Sequence, residues 1–449
     1  MRTWLRRLAL DRREARAWAL YDWGNSAFWT SVVTAVFPLY YLELVPELDA
    51  EAAQQRFLHA TTLALVVSAL LAPVLGTLAD LRSLKKTLLA AFALLGAAST
   101  AALFRALPGD GTFALWCFAL ANVGAVGSVV FYDALLPHVA REDEMDRLSA
   151  SGYALGYLGG GLCLALNLAW ILMPARFGLP AGGTVEEATL PARLAFLFVG
   201  VWWLLFTLPV LLQVSEPPRS VESDEGSGAA LVRTTFERLR ETFRELRRYR
   251  QAFLLLVAFL LYNDGILTII RMAGMYASAK ELDRTIVLGT FLVIQFVGIP
   301  CSFLFGGLAG RVGVKRMIAI GLVVYCLITL LAFFMSTAWH FVALGLLVAL
   351  VQGGTQALSR SLFASLIPRH RTGEFFGLFG VGEKFAGIFG PLLYGLAIHW
   401  SGSAQGAILS VIPFFLVGGA LLLRLDVEAG RRMAREAERD VRVVRKAGT

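Results

Sequence analysis

Twelve stretches of mostly apolar residues follow one another along this chain, and they limit its possible folds more than any other feature. A helix needs roughly 20 apolar residues to cross the hydrocarbon core of a membrane. Because lipid offers no hydrogen-bonding partners, a backbone inside it must satisfy its own polar groups, as a helix does. The predicted spans are 17–44, 57–79, 87–107, 112–137, 150–173, 192–214, 251–276, 285–310, 315–336, 339–368, 374–398 and 405–425.

The composition supports hydrocarbon as the main solvent of this surface. Of 449 residues, 57% are hydrophobic and 16% are charged, and the mean hydropathy is +0.65. Soluble domains carry about 25% charged residues. The net charge of +8 lies in short runs between apolar stretches, without a nucleic-acid reading motif. Nucleic-acid binding is therefore excluded as the function.

The connectors between spans alternate in charge, which tests the number of spans independently. One set is basic and comprises 82–86, 311–316, 369–371 and the tail 431–446. The other set is poor in Lys and Arg and comprises 46–56, 107–111, 336–340 and 399–405. The positive-inside rule then predicts an even number of spans with both termini cytoplasmic. The preference for Arg over Lys favours a bacterial inner membrane.

The longest polar connection, 215–250, divides the chain near its middle. Its first part has the composition of a linker. Its second part has an apolar stripe at helical spacing among arginines, which predicts either an amphipathic helix on the cytoplasmic leaflet or a solvated linker helix. The predicted organisation is a cytoplasmic N-terminus at 1–16, a six-helix bundle at 17–214, this linker with its helix at 215–250, a second six-helix bundle at 251–425, and a basic cytoplasmic tail at 426–449.

The two bundles carry related sequences. Residues 76–86 after the second span correspond to residues 306–316 after the eighth. Leu-Leu-Pro at 135–137 and Leu-Ile-Pro at 366–368 end the fourth and tenth spans. The two members of each pair lie at the same depth in the membrane, on spans that run in the same direction. The repeat therefore predicts an all-α membrane protein with twelve transmembrane helices in two parallel six-helix bundles.

The loop pattern at 76–86 resembles the signature loop of the major facilitator superfamily. The resemblance implies that fold and a conformational latch formed by Gly76, Asp80, Arg82, Lys85 and Lys86. Gly76 would let two helices approach closely, Asp80 would lie at the positive end of a neighbouring helix, and the lysines would hold the loop in the cytoplasm. Because the second copy has Gly310 in place of the acid, we expect only the first copy to latch. A plain positive-inside loop is the alternative.

The string Tyr-Asp-Trp-Gly-Asn-Ser at 21–26 resembles the signature of one branch, the autophagy-related vacuolar amino-acid effluxers and their bacterial relatives. This resemblance implies a transporter of small solutes, with amino acids as the leading class. The fifth span lacks the Gly-Pro of the drug antiporters, which disfavours a multidrug exporter. Two alternatives stay open: a transporter-like receptor or scaffold without flux, and an exporter of another small organic molecule.

Ionisable side chains within the spans are functional candidates, since an unpartnered charge in hydrocarbon costs several kcal/mol. In the major facilitator arrangement, the first, fourth, seventh and tenth spans line a central cavity. The residues expected at a cavity for substrate or ion are Asp22, Asn25, Asn263, Asp264, Gln356, Arg360 and Glu383. Asp22, Asp264 and Glu383 are candidate proton carriers, and capping or pairing is the alternative for Asp22. The fourth span lacks an arginine found in many proton-coupled members, so coupling to protons is left open.

Arg360 has two interpretations. Its forked guanidinium suits capture of a substrate carboxylate, or it forms a structural pair with Asp22 or Asp264 across the halves. Asp133, near the inner end of the fourth span, is expected to steady a loop. Enzyme motifs such as HExxH and GxSxG are missing from the sequence, as are clustered His or Cys ligands. We therefore expect a monomer that is not an enzyme, with no cofactor or metal, whose partners are a small-molecule substrate and the lipid bilayer.

Overall fold

The architecture was analysed in a computed structural model of the chain. It describes residues 2–47, 50–180, 182–218, 249–280, 282–385, 389–401 and 404–447. Most of the predicted linker, 219–248, therefore lies outside the described residues, and so does its amphipathic helix.

The described backbone is helical. The α-helices are α1 (Arg2–Arg7), α2 (Arg13–Ala27), α3 (Phe37–Leu44), α4 (Ala50–Arg82), α5 (Lys85–Ala102), α6 (Gly111–Val139), α7 (Met145–Leu172), α8 (Val185–Gln213), α9 (Arg250–Ala279), α10 (Arg284–Val312), α11 (Val314–Phe333), α12 (Ala338–Ser365), α13 (Thr372–Phe385), α14 (Phe389–Ser401), α15 (Ala404–Ala407), α16 (Ile412–Leu423) and α17 (Val427–Ala447). A π-helical segment, Phe28–Val36, joins α2 to α3, and 3₁₀ turns occupy Leu103–Arg105, Pro174–Phe177, Arg369–Arg371 and Ile408–Val411.

Ten helices in the described part of the chain are long and apolar enough to cross a membrane. The other two predicted spans are built from shorter pieces. The first runs through α2, the π-helical segment and α3, and the eleventh comprises α13 and α14. In the π-helical segment, the Thr34 hydroxyl donates to the carbonyl of Trp29, five residues back, at 2.8 Å. Such segments often mark functional sites in helices.

The outer surface of the bundle is apolar. Leu70, Leu212 and Val323 are 69%, 80% and 68% exposed. Soluble monomers rarely expose apolar surface on this scale, whereas lipid solvates it well. Together with the long apolar helices, this surface identifies a multi-pass membrane protein.

The helices up to α8 form one half of the molecule and those from α9 onward form the other. Contacts between the halves run along two seams, in which α4 packs against α13, and α7 packs against α10 and α12. We call the end that carries the 82–86 and 311–316 connectors the basic end. Both seams reach this end, where Asp80 contacts Gly373 and Ser149 contacts Ala357.

The C-terminal region forms an ordered helix against the basic end, where the sequence predicted only a basic tail. Ala434 in α17 is buried, and Gly430 lies against Leu366 and Gln251. The Arg435 guanidinium reaches across to the carboxylate of Glu142 in the first half at 3.2 Å. Thus α17 spans both halves of the bundle.

Candidate functional site

A cavity of about 530 Å³ lies between the two halves. At one end its wall contains Asp22 and Arg360, and at the other it contains Thr34, Met335 and Phe341. Thr34 is exposed, Met335 follows the end of α11, and Phe341 lies in the first turn of α12, so all three are far from the basic end. Because hydrogen bonds join the halves below Asp22 and Arg360, the cavity is sealed at the basic end and opens away from it.

Most of the predicted cavity residues line this space: Asp22, Asn25, Asn263, Gln356 and Arg360. The side-chain oxygen of Asn25 accepts a hydrogen bond from the Trp29 indole at 3.0 Å, which orients the amide. On the opposite wall, the Gln356 amide donates to the side-chain oxygen of Asn263 at 3.5 Å. Both walls therefore offer amide groups to a solute, and none of these amides carries charge.

Asp264 occupies a different place from the one predicted. It is fully buried, does not line the cavity, and accepts a hydrogen bond from the backbone N–H of Gly390 at 3.0 Å. Successive residues on a helix point about 100° apart, so Asn263 faces the cavity while Asp264 faces α14. The carboxylate lies near the N-terminus of α14, where the helix dipole favours an anion. The side chain of Glu383 lies outside the part that the structure describes.

Arg360 forms its closest ion pair with Asp133, at 2.9 Å, which neither prediction for Arg360 included. Asp22 lies farther away, at 3.9 Å, and Asp264 is not a partner. The prediction that Asp133 steadies a loop is corrected in the same way, because its carboxylate points across the interface between the halves. An arginine of the second half is thereby neutralised by acids of the first.

The surroundings of Arg360 all belong to the first half of the chain. Its guanidinium donates to the hydroxyl and the carbonyl oxygen of Ser149, both at 3.0 Å. The rings of Trp18, Tyr132 and Tyr153 lie 4.6–5.3 Å from its central carbon. Cation–π contacts at these distances add to the ion pair. Ser149 could not be recognised from the sequence, because a serine beside a connector is common and carries no charge.

Asp80 lies at the N-terminus of α13, in the other half of the molecule. Its two oxygens accept hydrogen bonds from the backbone N–H groups of Gly373 at 3.1 Å and Glu374 at 2.8 Å. Lys85 also pairs with Asp80, and both side chains are buried. A carboxylate at this position satisfies two N–H groups that have no partner within the helix and complements its dipole.

Close approach of two backbones brings Asp80 to α13. A Cβ added at Gly76 would overlap the carbonyl of Gly373, so any larger residue would push α4 away from α13. In the second copy of the loop, Gly306 packs equally tightly against Ala150 of α7, whereas a Cβ at Gly310 would meet open space. The two copies therefore share the close approach, and the carboxylate cap is found in the first.

Glu216 supports the 82–86 loop from the end of α8. Its carboxylate accepts hydrogen bonds from the backbone N–H groups of Lys85 at 2.8 Å and Lys86 at 2.9 Å, capping α5. Burial raises the pKa of Glu216, while these hydrogen bonds and the lysine charges oppose the shift. Arg82 and Lys86 are half-buried in the same loop. The loop is thus held by Glu216, which binds its backbone, and by Asp80, which pairs with the Lys85 side chain.

Comparison with known proteins assigns the chain to a family. The family model described as "Vacuole effluxer Atg22 like" matches residues 56–435. The chain belongs to this Atg22-like family. A Bacillus subtilis (strain 168) protein named as the MFS-type transporter YxiO is 36% identical over 427 residues, covering 94% of this chain and 97% of that protein. Autophagy-related protein 22 of Yarrowia lipolytica is 28% identical over 318 residues, and this match covers 65% of the chain but only 52% of the fungal protein.

Solved structures with the same fold are major facilitator transporters. The proton:xylose symporter XylE aligns with a TM-score of 0.68 at 12% identity, covering 92% of this chain and 95% of that one. FucP in its outward conformation aligns with a TM-score of 0.65 at 13% identity, covering 92% and 100%. At such low identity these matches establish the fold alone. The 36% identity to the MFS-type transporter YxiO, together with this fold, assigns the chain to the major facilitator transporters.

Proposed function

We propose that the protein moves a small solute across the bacterial inner membrane by alternating access, and that this solute belongs to the amino-acid class implied by its family resemblance. The single observation that carries this proposal is the cavity between two halves that are joined at one end by hydrogen bonds and an ion pair. Such a cavity exposes its contents to one side of the membrane at a time. The family description, vacuole effluxer, supports small-solute movement.

The orientation follows from charge. The connectors at the basic end hold Lys and Arg, so the positive-inside rule assigns this end, with both termini, to the cytoplasm. The structure then represents a state that is open to the outside and closed to the cytoplasm. The latch of this state comprises Gly76, Asp80, Arg82, Lys85 and Lys86, and Arg360 joins the halves beside the cavity. Two six-helix bundles, 17–214 and 251–425, move relative to each other, within a monomer.

Protons are proposed as the coupling ion, with Asp22 as the carrier. Among the predicted carriers, Asp22 is the carboxylate that both lines the cavity and remains partly exposed, at 17%. Asp264 is assigned a structural role instead, because it caps α14. Transport that a pH gradient does not accelerate would indicate uniport in place of proton coupling.

Flux in proteoliposomes tests the proposal. The purified protein is reconstituted, labelled amino acids are added one at a time outside the proteoliposomes, and uptake is followed with and without an imposed pH gradient. We expect protein-dependent flux of at least one amino acid, accelerated by the gradient, and loss of that acceleration in Asp22→Asn. Asp264→Asn should retain it if it folds.

Each failure of this experiment has a distinct meaning. Binding without flux would favour the receptor or scaffold function, and flux of other organic molecules alone would overturn the amino-acid class. Gradient-driven transport that survives in Asp22→Asn would overturn the coupling assignment while leaving transport itself in place.

A further inference from the structure

The closed end of the cavity, where Asp22 and Arg360 lie, is its floor. This floor contains more acidic than basic side chains. Among the described side chains that line it, the charged ones are Asp22, Asp133 and Arg360. With both carboxylates ionised, they and the one guanidinium leave an excess of one negative charge, which protonation of Asp22 removes. A charge imbalance in a largely apolar cavity selects solutes of the opposite sign.

The positive group at this floor is already engaged. Arg360 is 4% exposed, donates to Asp133 at 2.9 Å and to Ser149 twice at 3.0 Å, and is surrounded by three aromatic rings. A substrate carboxylate would have to displace Asp133, which lies in the same low-dielectric environment and is held in place by the fold. Arg360 therefore balances Asp133 and does not receive an incoming anion.

Asp22 is bonded more weakly than Asp133. Its hydrogen bonds from the Ser26 and Tyr132 hydroxyls are both 3.3 Å, longer than the usual 2.7–2.8 Å for such groups. Its distance to Arg360 is 3.9 Å, and its side chain is 17% exposed, against 7% for Asp133. This carboxylate faces the cavity with capacity for another donor.

At Gly156, the backbone of α7 packs closely against Asp22 and Ser26. A Cβ on Gly156 would lie 3.1 Å from one carboxylate oxygen of Asp22 and 2.6 Å from the Ser26 hydroxyl. Above the floor, the wall is formed by aromatic and apolar side chains, including Trp29, Tyr157, Phe259 and Leu267. Rings of this kind stabilise a cation through their faces and hold an apolar body by contact.

We infer that Asp22 binds the protonated amine of the transported solute, so the substrate class is compounds with an ammonium group beside an apolar body. This inference rests on the proposed function and narrows it: an amino acid would be held by its ammonium group, with its carboxylate near the neutral amides of Asn263 and Gln356. An ammonium group with three donors fits a carboxylate that lacks strong partners.

Ligand-induced thermal stabilisation of the purified protein in detergent tests this inference. The probes are leucine, lysine and tryptophan, each as the free amino acid, the carboxamide and the N-acetyl derivative. We expect the carboxamides to bind at least as well as the free amino acids and N-acetylation to weaken binding at least tenfold. Asp22→Asn should lose carboxamide binding at least tenfold, while Asp143→Asn, whose side chain is 80% exposed at the basic end, should bind as the wild type does.

Two results would overturn the inference: N-acetyl derivatives that bind as well as their carboxamides, or no binding by any carboxamide at millimolar concentration. Because this assay needs no transport, it fails separately from the proposed function. Carboxamide binding without flux would overturn the proposed transport but leave the ammonium site in place. Flux restricted to N-acetyl derivatives would overturn the ammonium site but leave transport in place.

Discussion

At the scale of single residues, the interface between the halves is held by buried charges, each with a defined partner. Arg360 pairs with Asp133, and Asp80 pairs with Lys85 while capping α13. Removing one member of a buried pair leaves an uncompensated charge, which costs about 3–5 kcal/mol. Exposed pairs contribute about 0–1 kcal/mol. The interface is therefore sensitive to a few specific substitutions.

The Arg360–Asp133 pair gives the first prediction. Asp133→Asn and Arg360→Met should each lower the midpoint of thermal unfolding strongly, because each leaves the other charge buried without its partner. The double variant should lose less than the sum of the two. The exposed pair of Arg435 and Glu142 is the matched control, since Arg435→Ala should change the midpoint little. Strictly additive losses at Arg360 and Asp133 would contradict the pairing.

At the scale of helices, close approach at the seams controls whether the basic end can seal. The α4–α13 crossing depends on Gly76 and Gly373, whose backbones lie against each other. The repeated loop provides a control glycine. Gly310 occupies the position in the second loop that Asp80 occupies in the first, and a side chain added at Gly310 would meet open space.

Gly76→Leu gives the second prediction. The added side chain overlaps the carbonyl of Gly373, so the seal cannot close and solute flux in proteoliposomes should fall at least tenfold with normal expression. Gly310→Leu, at a glycine with open space, should retain flux within about twofold of the wild type. Equal effects of the two substitutions would show that crossing distance does not limit transport.

The α17 helix gives the third prediction. Gly430 lies against Leu366 and Gln251, so Gly430→Leu should lift α17 from the basic end. Without its packing surface α17 should unwind more readily, so trypsin should cleave within 427–447 faster than in the wild type. Glu142→Ala, which removes the exposed ion pair with Arg435 but no trypsin site, should leave the cleavage rate nearly unchanged. Unchanged cleavage of Gly430→Leu would contradict packing of α17 through this glycine.

At the scale of the whole molecule, much of the fold was readable in the sequence because lipid imposes simple rules. Span length and the charge of connectors predicted the membrane helices and their direction, and the repeat predicted the two-bundle fold. The site was less accessible. Depth in a span can be counted along the chain, but the direction of a side chain depends on the rotation of its helix. Asp264 and Asn263 are adjacent in sequence and face different helices.

Partner choice across the two halves also lay beyond the sequence. Asp22, Asp133 and Asp264 all lie in predicted spans, and counting along the chain cannot tell which of them meets Arg360. The packing of α6 and α7 against α12 decides it, because α6 brings Asp133 and α7 brings Ser149 to the guanidinium. Likewise, the helix in the C-terminal tail has too many charges to register as a span, and its packing depends on contacts with both halves.

Distances measured at both ends of one molecule test the account most directly. The half-buried Cys301 and Cys326 are first replaced. One variant then carries spin labels at the exposed positions Asp143→Cys and Arg316→Cys at the basic end. A second variant carries them at Asp110→Cys and Ser336→Cys at the far end. Asp80→Ala, which removes the cap on α13, is compared with the unperturbed protein by double electron–electron resonance in nanodiscs. If the halves rock about the central cavity, the variant lengthens the basic-end distance and shortens the far-end distance. Distances that stay unchanged at both ends, or that change in the same direction, would contradict alternating access.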